Sequence, residues 1–175
     1  MAVIEAIATQ YLEADVSSVT FSSIPQTYEH LQLRYTMALA GTDNSYQMIF
    51  MGDGSADEGS NYSAHVSSGH ETSVGGWTTT ASDRGFYGGQ AVGSVDRAWY
   101  GPVILDILDY VNTNKNTTGL IINWDGGTAA GADWLQFISG LWDSTAAVDT
   151  ILIKNRYGTN FNRGSEFTLY GLNSS

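Results

Sequence analysis

Residues able to do chemistry are sparse in this chain, and the densest group of them lies between Met51 and Asn61. Asp53, Asp57 and Glu58 are set there among glycines and serines with no apolar periodicity, a pattern that predicts a loop. Oxygen donors on a flexible loop are what Ca²⁺ takes. The helix-flanked register and distal glutamate of an EF-hand are missing, so a solvated acidic loop is the default and Asp53, Asp57 and Glu58 are only a weak calcium candidate. His30, His65 and His70 are too dispersed for a ligand set, although a turn would bring His65 and His70 together; structural or surface roles are the simpler account. No G-x-S-x-G elbow and no phosphate loop is present. Asp106 and Asp109, if both lie on a strand, stand about 10 Å apart on opposite faces, which does not suit a glycosidase pair. Cysteine is absent, which removes disulfides, thiolate metal sites and cysteine nucleophiles. The expectation is a protein without catalytic residues or cofactor.

The aromatic residues are more promising for binding than for reaction. Trp77, Trp99, Trp124, Trp134 and Trp142 stand beside ten tyrosines, and aromatics make up 12% of the chain. Exposed rings stack on sugars, but large aromatics more often fill sandwich cores or anchor protein interfaces. Trp77 sits between Gly75-Gly76 and Thr78 to Thr80 with few apolar neighbours. It is the ring expected outside the core, as a partner or glycan contact.

The elements that must position these residues read almost entirely as strands. Val19 and Phe21 alternate with polar residues, Pro25 interrupts, and Leu31 to Tyr35 resumes the alternation; period two marks half-buried strands. Pro25 fixes its own φ and pushes Ile24 into an extended conformation, so a corner between strands is expected there. Ala2 to Leu12 is expected as a strand as well. Leu31 to Ala40 and Ser45 to Met51, separated by the turn residues Gly41 to Asn44, make the best hairpin candidate. Asn61 to Val66 follows as a strand. Ser67 to Ser94 is rich in Gly and Ser, and predicts a long loop or a pair of short edge strands. Trp99 to Val111, Thr117 to Trp124, Trp134 to Trp142, Val148 to Lys154 and Glu166 to Leu172 complete the set. The fold class is all-β: an antiparallel, jelly-roll-like two-sheet sandwich of about nine or ten strands, forming a single domain over residues 1–175.

Composition narrows the partners. At 175 residues, a single domain buries roughly 70% of the surface its unfolded chain exposes, enough for a core without staples. Seven Lys and Arg against 18 Asp and Glu leave a formal charge of −11, which disfavours nucleic acid. The N-terminal residues carry no basic region followed by an apolar core, and no apolar window of about 18 residues exists, so neither a cleaved leader nor a membrane span is expected.

Four motifs carry a resemblance. SVTFSSIP followed by TYEHLQLR (Ser18 to Arg34), GDGSADEGSNYSAH (Gly52 to His65), LDYVNTNK (Leu108 to Lys115) and SEFTLYGL (Ser165 to Leu172) resemble, in this order, a family of virion structural proteins from tailed bacteriophages. The likeness extends over nearly the whole chain. It implies a β-sandwich on the outer surface of the phage particle, made in the host cytoplasm, with no catalytic residues to carry over. The first expectation is a capsid decoration, or cement, protein that bridges subunits of the major capsid protein or other virion proteins and forms a homo-oligomer, a dimer or trimer. The alternative is a tail-associated or receptor-binding module that recognises host surface glycans through exposed aromatics. Met37-Ala38 departs from the pattern, which has a basic residue in that region.

Overall fold

Alternating apolar and polar residues commit most of this chain to strands, and most of the strands bury one face. The computed structural model describes residues 3–41, 45–70, 72–91, 100–126 and 133–174. Among them lie thirteen strands and no helix. In chain order they are β1 (Val3–Tyr11), β2 (Ser18–Phe21), β3 (His30–Met37), β4 (Ser45–Asp53), β5 (Ser55–Ala56), β6 (Tyr62–His70) and β7 (Ser73–Ser82). They continue with β8 (Phe86–Ala91), β9 (Gly101–Leu108), β10 (Thr117–Gly126), β11 (Asp133–Trp142), β12 (Thr150–Asn155) and β13 (Glu166–Asn173). An eight-stranded sheet runs β1-β13-β3-β9-β10-β11-β6-β7, and a five-stranded sheet runs β2-β12-β4-β5 with β8 also paired to β4. Every named pairing is antiparallel.

This is the expected antiparallel sandwich, with more strands than expected. The three additional strands are β5, β7 and β8. β5 is a two-residue return on β4 that turns at Gly54, whose φ of +75° suits glycine. β7 is an edge strand exposed along nearly its whole length, so it has no buried face to impose alternation. In β8, Gly88 and Gly89 replace apolar residues because the backbone lies close to its neighbours; a Cβ at Gly89 would fall 2.3 Å from Asn123 Cγ. The Ser67 to Ser94 region is therefore the end of β6 followed by two strands as far as Ala91, and its last residues lie outside the described ones.

One expectation is overturned. β3 and β4 do not form a hairpin: β3 pairs with β13 and β9 in the larger sheet, whereas β4 pairs with β12, β5 and β8 in the smaller. β3 buries alternate residues, β4 is buried along most of its length, and the connection carries the chain between sheets. Turn-forming residues specify a reversal but not the sheet that the chain enters next. Only Gly41 of the expected turn is described. The corner at Pro25 is likewise a crossing between sheets, from β2 to β3. Ile24 there is buried, its N–H donates to the Asp149 carbonyl at 3.0 Å, and the Pro25 carbonyl accepts from the Tyr110 hydroxyl.

The core lies between the sheets. Leu31, Leu33, Leu105, Ile107, Phe167 and Leu169 of the larger sheet face Ile49, Met51, Ile151 and Ile153 of the smaller, all fully buried. Met37 and Ala38 are buried as well. Gly119 and Gly140 are register partners on β10 and β11, and together they leave a pit for the Phe86 ring. A Cβ at Gly119 would stand 2.7 Å from that ring, and one at Gly140 3.0 Å. Polar contacts also join the layers. The Gln90 N–H donates to Gln136 Oε1 at 2.9 Å, and Asn123 Nδ2 donates to the Gln90 carbonyl at 3.3 Å.

Candidate functional site: an apolar band on the outer face of the larger sheet

In an antiparallel sheet with one solvated face, alternate positions should be polar. β9, β10 and β11 break that rule. Val103, Leu105 and Ile107, then Ile121, then Ile138 point inward and are buried. The alternate positions are apolar too: Ile104 and Leu108 on β9, Leu120, Ile122 and Trp124 on β10, and Leu135 and Phe137 on β11 are exposed by 38–55%. Register makes these residues contiguous. Ile104, Ile122 and Phe137 form one row across three strands, since Ile122 is opposite both Ile104 and Phe137. Trp124 faces Leu135 in an adjacent row, and Leu120 sits between Asp106 and Ser139 in another.

Ile104, Leu120, Ile122 and Phe137 of this band border a shallow groove of about 460 Å³, flanked by His65 and Ser67 from β6 and reached at its edge by Asp106. Charge is kept to its margin. The outward positions from Thr118 to Trp124 on β10 and from Leu135 to Leu141 on β11 carry no ionisable side chain, in a chain whose formal charge is −11. Asp106, on the β3 side, accepts from Gln32 Nε2 at 2.5 Å; Gln32 Oε1 accepts from Arg34 Nε at 2.5 Å, and the Arg34 guanidinium lies 5.1 Å from the Tyr170 ring centroid. A contiguous apolar surface edged by polar groups is what a docking surface presents.

Asp53, Asp57 and Glu58 do not converge on one point. Asp57 works as a clasp: Oδ1 accepts the Gly59 N–H at 2.9 Å, while Oδ2 accepts Asn61 Nδ2 at 2.8 Å and the buried Trp142 indole N–H at 2.9 Å. Its carbonyl accepts from the Tyr62 hydroxyl at 2.9 Å. Partial burial opposes ionisation of this carboxyl, but the donors from Trp142, Asn61 and Gly59 outweigh it and hold the pKa below the usual aspartate range. Glu58 pairs with Lys154, and Asp53 ends β4 at the β4–β5 turn. No cluster of three or more potential metal ligands occurs among the described residues.

The histidines are also apart. His65 faces outward beside the groove, His70 stacks on Trp134 with centroids 4.8 Å apart, and His30 Nδ1 accepts the Asp109 N–H at 3.0 Å. Asp109 lies beyond β9 with a left-handed φ of 50°, paired with Lys115, whose hydrogen bond lowers its pKa. Asp106 and Asp109 are therefore not two residues of one strand. The tryptophans divide: Trp142 is core, Trp124 belongs to the outer band, and Trp77 is 37% exposed with its edge against Tyr87 at 5.6 Å. Trp99 lies outside the described residues.

No family model and no curated protein matches the chain. Solved structures of alginate lyase Aly36B are distantly similar. A double mutant in complex with alginate tetrasaccharide has a TM-score of 0.27 and 10% identity, over 96% of this chain and 80% of that one. Another Aly36B structure has a TM-score of 0.28 and 10% identity, over 95% and 79%. Likeness at that level says nothing about what this chain binds.

The outer band is the feature that strand-by-strand reading missed. Its signal was nonetheless present: Val103 to Leu108, Leu120 to Trp124 and Trp134 to Ile138 are nearly continuous apolar runs, and in an antiparallel sheet such a run makes both faces apolar.

Proposed function

We propose that this protein is a phage virion structural protein that decorates the capsid and acts by docking, not by catalysis. The observation that carries the docking role is the uncharged apolar band of Ile104, Leu120, Ile122, Trp124, Leu135 and Phe137, held on the rigid middle of the larger sheet. The phage assignment itself rests on the resemblance of the four motifs. In this reading the band seats on shell subunits and bridges them, and occupancy stabilises the assembled shell by mass action. The acidic remainder of the surface complements a basic rim on the shell protein and speeds encounter. The protein acts as a homo-oligomer, a dimer or trimer, so that one unit spans neighbouring subunits.

Co-sedimentation with shells stripped of the protein tests this. Wild-type protein is expected to pellet with the shells and raise their melting temperature, whereas Ile122→Glu and Phe137→Glu, folded by near-ultraviolet circular dichroism, remain in the supernatant. Undiminished binding by both variants would remove the band from the account.

A further inference from the structure

We infer that a second site, where one edge of the larger sheet meets the smaller sheet, binds an acidic saccharide. Where the β7 edge of the larger sheet comes alongside β4 and β8 of the smaller, Tyr46, Trp77 and Tyr87 surround a hollow of about 150 Å³ together with Arg84 and Arg156. The rings are mutually braced. Trp77 meets Tyr87 edge-on at 5.6 Å and 89°, and Tyr87 lies 4.6 Å from Tyr46. Backbone contacts hold the cationic side of the hollow, since the Arg156 N–H donates to the Tyr46 carbonyl at 3.0 Å.

Two further observations point to a ligand. Arg84 and Arg156 are two of only seven basic residues in the chain, and neither guanidinium forms an ion pair with a described carboxylate, including Asp83 beside Arg84. The Arg156 guanidinium instead lies 5.1 Å from the Tyr157 ring centroid, its donors uncommitted to an anion. The Tyr87 hydroxyl oxygen is buried without a hydrogen-bond partner among the described residues, an uncommon state for a buried phenol. Aromatic faces suit the C–H face of a sugar, guanidinium groups suit a carboxylate through paired N–H donors, and Thr79 and Ser82 on the wall suit sugar hydroxyls. The hollow is smaller than the ~300–1,000 Å³ of a site that encloses a drug-sized ligand. It accommodates one ring of a chain that continues into solvent. The −11 charge of the whole molecule disfavours a long polyanion and leaves a local carboxylate as the better match.

Titration calorimetry with trigalacturonic acid and with neutral maltotriose decides this, on protein whose melting temperature matches wild type. The expected result is saturable binding of the acidic trisaccharide alone, weakened roughly tenfold by Arg156→Gln or Arg84→Gln and lost in the double variant and in Trp77→Ala. Absence of saturable binding, equal affinity for maltotriose, or affinity unchanged by both arginine substitutions would overturn the inference. None of these outcomes bears on capsid docking, which uses residues of the other face.

Discussion

Asp57 shows how little a residue's type reveals about its role. In the sequence it is one of three acids on a glycine-rich stretch, a weak candidate for calcium with a solvated loop as the default. In the structure its carboxylate is committed to Gly59, Asn61 and the Trp142 indole, and the residue ties the stretch after β5 to β11. Asp57→Ala leaves the buried Trp142 N–H without its acceptor and is expected to cost about 1–3 kcal/mol in urea unfolding. An unchanged midpoint would contradict the clasp. The pH dependence follows from the same contacts. Asp57, Asp109 and Glu29 all have folded-state pKa values below their ordinary ones, Asp109 through Lys115 and Glu29 through Ser174. Groups of this kind stabilise the fold fully above their unfolded pKa, and that contribution is lost as pH falls through the folded values. Stability is therefore expected to decline below about pH 4, and less steeply in Asp57→Asn than in wild type. Parallel slopes for the two proteins would refute the role of Asp57 in acid sensitivity.

At the scale of elements, half-buried strands were the legible part. The β3 region alternates because Leu31, Leu33, Tyr35 and Met37 enter the core while Gln32 and Arg34 stay outside, and that pattern is local. Pairing partners are not local, which is why β3 and β4 looked like a hairpin and belong to different sheets. β7 and β8 were obscure for opposite reasons. One is solvated on most of its length, and the other replaces apolar side chains with glycines at close contacts. The Phe86 pit shows what such glycines do. Its complement, Gly119 opposite Gly140, lies on two strands remote in sequence from β8, so no window of sequence contains the motif. Gly140→Ala is expected to destabilise by about 1–3 kcal/mol through overpacking, and Phe86→Leu in the same chain should recover part of that loss. Strict additivity of the two substitutions in a double-mutant cycle would show that the ring and the glycine do not meet.

For the whole molecule, the distribution of apolar surface matters more than its amount. A sandwich needs only its inner faces to fold, yet the middle strands of the larger sheet are apolar on both. The outward set contributes little to folding, so Ile122→Glu and Phe137→Glu are expected to change unfolding free energy by no more than about 1 kcal/mol while removing association. A large loss of stability in either variant would mean that the band serves the fold and not a partner. The sandwich was legible from strand patterning, whereas the band required knowing which strands lie side by side. The proposed capsid role is tested most directly by the copy number of this protein in purified phage particles, obtained by quantitative mass spectrometry against the major capsid protein. Capsid decoration predicts copies in proportion to shell subunits, reaching hundreds per particle; a count in the low tens, or none, would contradict it.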